Sequence, residues 1–225
     1  MVLNCEVIEG FIEVKGRYPI LITATHGYGT DRFKDVVLRL KELNLYSEFK
    51  DVAPYTSAVD FLTGEIAFKV GVAEKCWVIL PTVSKVDYLS GLPIPDYNLN
   101  REYASITPFW RRVEELVRGN HVRFIIDIHG MKSVNKWPDF CISCANYTTA
   151  SKKTVEHIVH LISEAGFTVK VDRPFKGGSF IRHFGKPPRI EAIGLEIKRD
   201  HRFLGSRIPY VIRRIAREII RFKNY

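Results

Sequence analysis

A three-layer α/β/α fold with a mixed, mostly parallel central sheet is the architecture this sequence predicts. Three observations predict it. Apolar, β-rich runs alternate along the chain with amphipathic helical ones, which implies a sheet covered by helices on both faces. Two of those runs, Ile20-Leu21-Ile22 and Phe124-Ile125-Ile126, are continuously apolar, as central strands buried on both faces are. The 225 residues, 46% hydrophobic with 14 Phe, 10 Tyr and 3 Trp, supply the core of one large domain, 1–225, more readily than two small ones.

In order, strands are expected over 10–14, 20–25, 76–83, 122–128, 139–145, 168–172 and 192–197, where β-branched and aromatic residues cluster between turn residues. Helices are expected over 31–43, 57–70, 107–118, 151–165 and 206–223. In the fourth helix Val155, Ile158, Val159 and Ile162 form the apolar stripe, and Gly166 is its stop. The last helix sets Ile208, Val211, Ile212, Ile215, Ile219 and Ile220 on one side and Arg213, Arg214, Arg217, Arg221 and Lys223 on the other. No internal repeat, low-complexity tract or long linker interrupts the pattern.

The formal net charge of +9 admits nucleic acid or a small anionic molecule as partner. Much of the excess falls on the outer side of the last helix, where a solvated surface accounts for it, and no nucleic-acid-binding motif accompanies it. A small anionic substrate is therefore the expected partner. No apolar run approaches the roughly 20 residues a membrane span needs, and Met1-Val2-Leu3-Asn4-Cys5-Glu6 lacks the basic start of a secretion signal. A cytoplasmic location is expected, and the absence of Gln beside many Lys, Arg and Glu matches heat-adapted compositions. The four cysteines do not make a disulfide framework. Cys141-Ile142-Ser143-Cys144 has a zinc-like spacing, but no second close pair exists, and three apart in a strand the thiols face opposite sides. Buried thiols are expected.

In α/β sheets, chemistry collects where strands end in loops at their carboxyl edge. Ala24-Thr25-His26-Gly27-Tyr28-Gly29 follows the first central strand, and its glycines let the backbone turn so that His26 can face a cleft. Asp127-Ile128-His129-Gly130 ends another, with Asp127 and His129 sharing a face, the arrangement of a ligand and the carboxylate that orients it. Either histidine alone could be a hydrogen-bonded turn residue; two at the ends of two buried strands favour a metal. Asp96-Tyr97-Asn98-Leu99-Asn100-Arg101-Glu102 places an Arg fork beside amides, either a carboxylate clamp or a polar turn. Arg173 to Gly185 holds the Gly177-Gly178 pair among the cations Lys176, Arg182 and His183, either a tight mobile loop that meets an anion or a hairpin with a charged rim. Glu196 lies inside an apolar strand, where a carboxylate must be paired, as with Lys198 or Arg199, or act as a base.

Taken in order, the His26-Gly27 turn, Asn98-Leu99-Asn100-Arg101-Glu102, Asp127-Ile128-His129-Gly130-Met131-Lys132-Ser133, the segment from Pro174 to Pro187 and Ala192-Ile193-Gly194-Leu195-Glu196-Ile197-Lys198-Arg199 resemble the N-formylglutamate amidohydrolase family. The resemblance runs from His26 to Arg199 and implies a zinc-peptidase-like fold, similar to zinc carboxypeptidases and aspartoacylases, with one Zn2+ at the strand ends. It implies His26 and His129 as metal ligands, Arg101 with Asn100 as the contact for a substrate carboxylate, and Glu196 as the catalytic carboxylate. A third, carboxylate ligand is implied; Gly29 stands three residues after His26, which leaves Asp31 and Asp60 as candidates. Arg182 or His183 would stabilise the oxyanion, and Lys176, Gly177 and Gly178 would line the substrate site. The activity implied is metal-dependent hydrolysis of an N-acyl (N-formyl) amino acid. A peptidase or deacylase on another acyl-amino acid, a relative without catalysis, and a basic nucleic-acid-binding protein are the alternatives.

Overall fold

The structure, a computed structural model, describes residues 5–8, 10–27, 60, 62–81, 104–202 and 205–225. The described strands are β1 (Cys5–Ile8), β2 (Phe11–Val14), β3 (Tyr18–Thr23), β4 (Cys76–Pro81), β5 (Phe124–Met131), β6 (Phe140–Ser143), β7 (Val169–Val171) and β8 (Glu191–Lys198). The helices are α1 (Thr63–Glu74), α2 (Pro108–Arg118), α3 (Lys152–Glu164), α4 (Ser179–Phe184) and α5 (Ile208–Lys223). The expected helix over 31–43 lies outside the described residues.

One sheet runs in the order β1-β2-β4-β3-β5-β8-β6-β7. Its middle, β4-β3-β5-β8, is parallel throughout, as the continuous apolar runs implied. A hairpin of β1 and β2 adds antiparallel strands at one side. At the other, β6 runs antiparallel to β8 and carries β7 parallel to itself. The sheet is thus mixed and mostly parallel, as expected. β1 was not foreseen: only four residues long and paired on one side, it carries too little periodicity to read.

Alternation along the strands divides the core. Ile20, Ile22, Ile126, Ile128, Ile193 and Leu195 face α1, α3 and α5. Leu21, Ile79, Ile125 and Ala192 face the opposite way, against Phe109 and Trp110 of α2 and Phe180 and Phe184 of α4. Helices therefore cover both faces, giving the three layers.

Local chemistry sets the helix ends. Thr107 and Ser151 cap α2 and α3, their hydroxyls accepting from Trp110 N and Thr154 N at 3.3 and 3.4 Å. The helix expected over 57–70 instead begins at Thr63 and runs to Glu74. Gly71 lies inside it, where any side chain would collide with Val78, so glycine lets the helix pack closely on β4; the helix turns out at Lys75, in the left-handed region at φ 55°.

Cys76, Cys141 and Cys144 are buried free thiols. Burial pushes their pKa values up to about 12, 11 and 12 respectively, so they stay protonated and inert at neutral pH. The outer cations of α5 are matched with acids: Arg213 and Arg217 with the buried Glu74, Arg214 with Glu164, Arg221 with Glu218 and Lys223 with Glu191. Four carboxylates thus offset most of the charge of five cations, which weakens the pull of this face on a polyanion. No described helix is long and apolar enough to cross a membrane.

Candidate active site

Three side chains converge at the carboxyl edge of the parallel strands. His26 follows β3, His129 is the sixth residue of β5, and Asp60 lies just ahead of α1. A close approach of two glycines brings Asp60 in. A side chain on Gly27 would lie 2.5 Å from Gly64 N and 2.7 Å from Thr63 Oγ1, so the His26 turn packs backbone against the start of α1. Asp60 N then donates to His26 O at 3.0 Å, and Thr63 returns its hydroxyl to Asp60 O at 2.7 Å.

The Nδ1 atoms of His26 and His129 lie 3.6 and 3.1 Å from the same Asp60 oxygen, and the ring centroids are 5.0 Å apart. Among the described residues these three form the one His, Cys, Asp or Glu group able to hold a metal, with one donor atom from each within 4.8 Å of the others. Bonds of about 2.0–2.1 Å in a tetrahedral site imply donor separations of roughly 3.3–3.5 Å, close to the two measured here. Two imidazole nitrogens and a carboxylate, one coordination position short of four, are the donor set of a catalytic zinc site.

The other face of His129 is fixed. Its Nε2 sits 2.8 Å from Asp127 Oδ2, and Asp127 in turn accepts from Thr25 N and Thr25 Oγ1, both at 3.0 Å. Asp127 is wholly buried, and the anchored carboxylate leaves Nδ1 to face Asp60. Thr25 was missed as a functional residue; its contact lies 102 positions away in sequence, beyond any local pattern.

Glu196 is the residue of β8 paired with His129, on the same face and 8% exposed. Burial pushes its carboxyl up to about 7, the His129 charge opposing and the carboxylates of Asp60 and Asp127 reinforcing. The same carboxylates act on the histidine. Burial opposes charge on His129, yet Asp127 and Glu196 outweigh it and raise its pKa well above the ordinary imidazole range. Asp60 shifts the opposite way: burial resists ionisation, but hydrogen bonds and charge from His129 and His26 hold it well below the usual carboxylate range. Three carboxylates around two imidazoles make a pocket that favours positive charge, as a divalent ion requires.

Residues 100–201 match the N-formylglutamate amidohydrolase family. Among solved structures, N-formylglutamate amidohydrolase from Ralstonia eutropha JMP134 has the same fold, with a TM-score of 0.64 at 14% identity over 96% of this chain and 98% of that one. A bacteriophage poly-gamma-glutamate hydrolase aligns with a TM-score of 0.53 at 13% identity over 97% and 93% of the two chains. The zinc-free apo form of YNDL does so with 0.53 at 13% over 98% and 94%. No curated protein matches significantly in sequence. The resemblance read from the motifs is thus borne out, and the family match supports an amide-hydrolysing activity.

The matched span contains the remaining family-like residues. Arg182, on α4, donates from Nε to Gly177 O at 2.9 Å and from Nη2 to Lys176 O at 3.3 Å, so its guanidinium braces the glycine segment. His183 Nε2 lies 3.1 Å from Glu114 of α2, and its ring packs on Trp110. The sequence left 173–185 open between a mobile loop and a hairpin. It is a braced loop followed by a helix, with Gly177 at φ +88° making the turn and Gly178 capping α4. Lys176 is exposed, and its carbonyl accepts from Ala145 N at 3.0 Å. Asn100, Arg101 and Asp31 lie outside the described residues.

Proposed function

We propose that this chain is a metal-dependent hydrolase that cleaves the amide of a carboxylate-bearing N-acyl amino acid such as N-formylglutamate. The observation that carries the reading is the convergence of His26, Asp60 and His129, with Glu196 in register beside His129. His26, Asp60 and His129 would hold one divalent ion, Zn2+ by the donor set and by the zinc-free form of a fold neighbour. Bound there, the ion supplies Lewis acidity toward water and the scissile carbonyl.

The chain's own residues do the rest. Asp127 keeps His129 turned so that Nδ1 faces the site. Glu196 accepts a proton from the attacking water and passes it to the departing amine, and a carboxyl at about 7 suits both halves of that transfer near neutral pH. Asn100 and Arg101, at the start of the matched span, bind the substrate carboxylate through the planar guanidinium fork, turning binding into orientation. Arg182 acts by holding the Lys176–Gly177 backbone over the site. Asp60 fills the carboxylate position left open between Asp31 and Asp60. The partner is a small anionic substrate in the cytoplasm.

The test combines elemental analysis of the purified protein with hydrolysis of N-formyl, N-acetyl and N-succinyl amino acids, with and without chelator. Stoichiometric zinc and chelator-sensitive turnover are expected. Turnover unaffected by complete metal removal would sink the reading, as would a zinc-loaded protein inert on the whole panel.

A further inference from the structure

Beyond Glu196, on the side away from His129, the neighbouring strand of the sheet is β6. β6 runs antiparallel to β8, with Cys141 opposite Glu196 and Ser143 opposite Gly194. Period-two alternation puts Cys141 and Ser143 on the face that carries Glu196. The carbonyl of Phe175 accepts from both, from Cys141 Sγ at 3.3 Å and Ser143 Oγ at 3.2 Å. The backbone of 173–178 therefore lies across that face one strand from Glu196, a step of about 5 Å. The bonds from Ala145 N to Lys176 O and from Arg182 to Gly177 O lock it there.

So fixed, the Phe175 ring is still 36% exposed. Trp137 meets it edge to face, centroids 5.5 Å apart at 84°. Trp137 and the exposed Val134 belong to the connection that leaves β5 after Met131, paired with Lys198, and enters β6 at Phe140, paired with Ile197. Both ends of that connection lie within two residues of Glu196 along β8. A ring pair held this firmly at the rim contributes to neither hydrophobic core.

We propose that Trp137 and Phe175 form an apolar subsite beside Glu196, and that the preferred substrate carries an aromatic or large apolar group next to its scissile amide rather than only the hydrogen of a formyl group. This assignment rests on the amide-hydrolase reading, which puts the amide at Glu196; the experiment separates the two. Chelator-treated protein is titrated calorimetrically with N-phenylacetylglutamate against N-acetylglutamate, and with N-acetylphenylalanine against N-acetylalanine. In at least one pair the aromatic member binds about tenfold more tightly, the scale of one partly buried phenyl ring. In Trp137→Ala and Phe175→Ala the advantage shrinks to about twofold, while Phe175→Leu, which keeps apolar bulk, retains most of it. Equal affinities in both pairs, no measurable binding of any ligand, or an advantage that survives both alanine variants would overturn the subsite. Turnover of the same compounds with zinc is scored separately. No turnover with the aromatic advantage intact overturns the hydrolase reading and leaves the subsite standing; turnover with no aromatic preference in either assay overturns the subsite alone.

Discussion

Asp127→Asn tests whether the orientation of His129, and not merely its presence, builds the site. Both oxygens of Asp127 are committed: Oδ1 accepts from Thr25 N at 3.0 Å, while Oδ2 accepts from the Thr25 hydroxyl at 3.0 Å and faces His129 Nε2 at 2.8 Å. Asparagine offers one acceptor oxygen and one donor NH2 in the same volume. If the oxygen keeps Thr25 N–H, the NH2 faces Nε2, which must then accept. The ring proton moves to Nδ1, the nitrogen 3.1 Å from Asp60, and blocks it as a ligand. If the amide flips, two N–H donors confront each other, and an unsatisfied buried donor costs about 1–3 kcal/mol. The first orientation blocks Nδ1, and the second keeps it free only at that cost. Losing an outer partner of a ligating histidine weakens metal binding roughly 10–100-fold, or about 1.4–2.7 kcal/mol. Competition for zinc against a chromophoric chelator at neutral pH reads that loss, with a thermal melt showing that the variant is folded. Wild-type zinc affinity in folded Asp127→Asn would refute the argument that Asp127 selects the ligating nitrogen.

Three further predictions follow from the same geometry. Glu196→Gln keeps zinc stoichiometry and loses about 10²–10⁴-fold in kcat, since the amide cannot relay a proton; undiminished kcat removes Glu196 from the mechanism. Gly27→Ala drives a methyl to 2.5 Å from Gly64 N and 2.6 Å from Ala24 Cβ, so urea unfolding should show a loss of about 1–3 kcal/mol; an unchanged midpoint would mean the turn and α1 separate freely. Asp139 sits at about 2 rather than 3.8, burial opposing ionisation while Thr168 hydrogen bonds and His201 favour it. A folded value below the unfolded one means its stabilisation is full above the unfolded value and lost as pH falls from about 4 toward 2. Melting temperatures of wild type and Asp139→Asn should accordingly converge through that window; a constant gap across it would contradict the assignment.

What the sequence revealed and what it hid divide along the range of the interactions. The parallel centre was readable because Ile20–Ile22 and Phe124–Ile126 need no partner to announce burial on both faces. The helices expected over 107–118 and 151–165 start where Thr107 and Ser151 cap them, contacts that act over only three residues. His26, Asp127, His129 and Glu196 were legible as polar residues ending or interrupting apolar strands. The approach of Asp60 to both histidines was not, because it turns on Gly27 meeting Gly64, a contact that no periodicity encodes. Nor was the bracing role of Arg182, since a cation near two glycines reads equally as an anion contact or as a clasp on its own loop. Trp137 and Phe175 lie 38 positions apart by their residue numbers and carry no shared motif; only the carbonyl of Phe175 resting on Cys141 and Ser143 ties them to Glu196.

The reversal of β6 explains why that side of the site is walled at all. In the parallel stretch, β3 and β5 pair Thr23 with Asp127, so neighbouring strands reach the carboxyl edge together and deliver His26 and His129 side by side. Had β6 also been parallel to β8, its amino end would lie at the far edge, and the β5–β6 connection could not cross the site. Antiparallel pairing of Cys141 with Glu196 starts β6 at the carboxyl edge, so the connection that carries Trp137 runs directly from the end of β5 to a strand start one residue from the level of Glu196. β7, parallel to β6, likewise runs away from that edge, and the chain must return as the 173–178 segment across the face that carries Cys141 and Ser143. One change of strand direction thus brings both Trp137 and Phe175 to this side of the sheet, while the parallel strands beside it supply His26, His129 and Glu196.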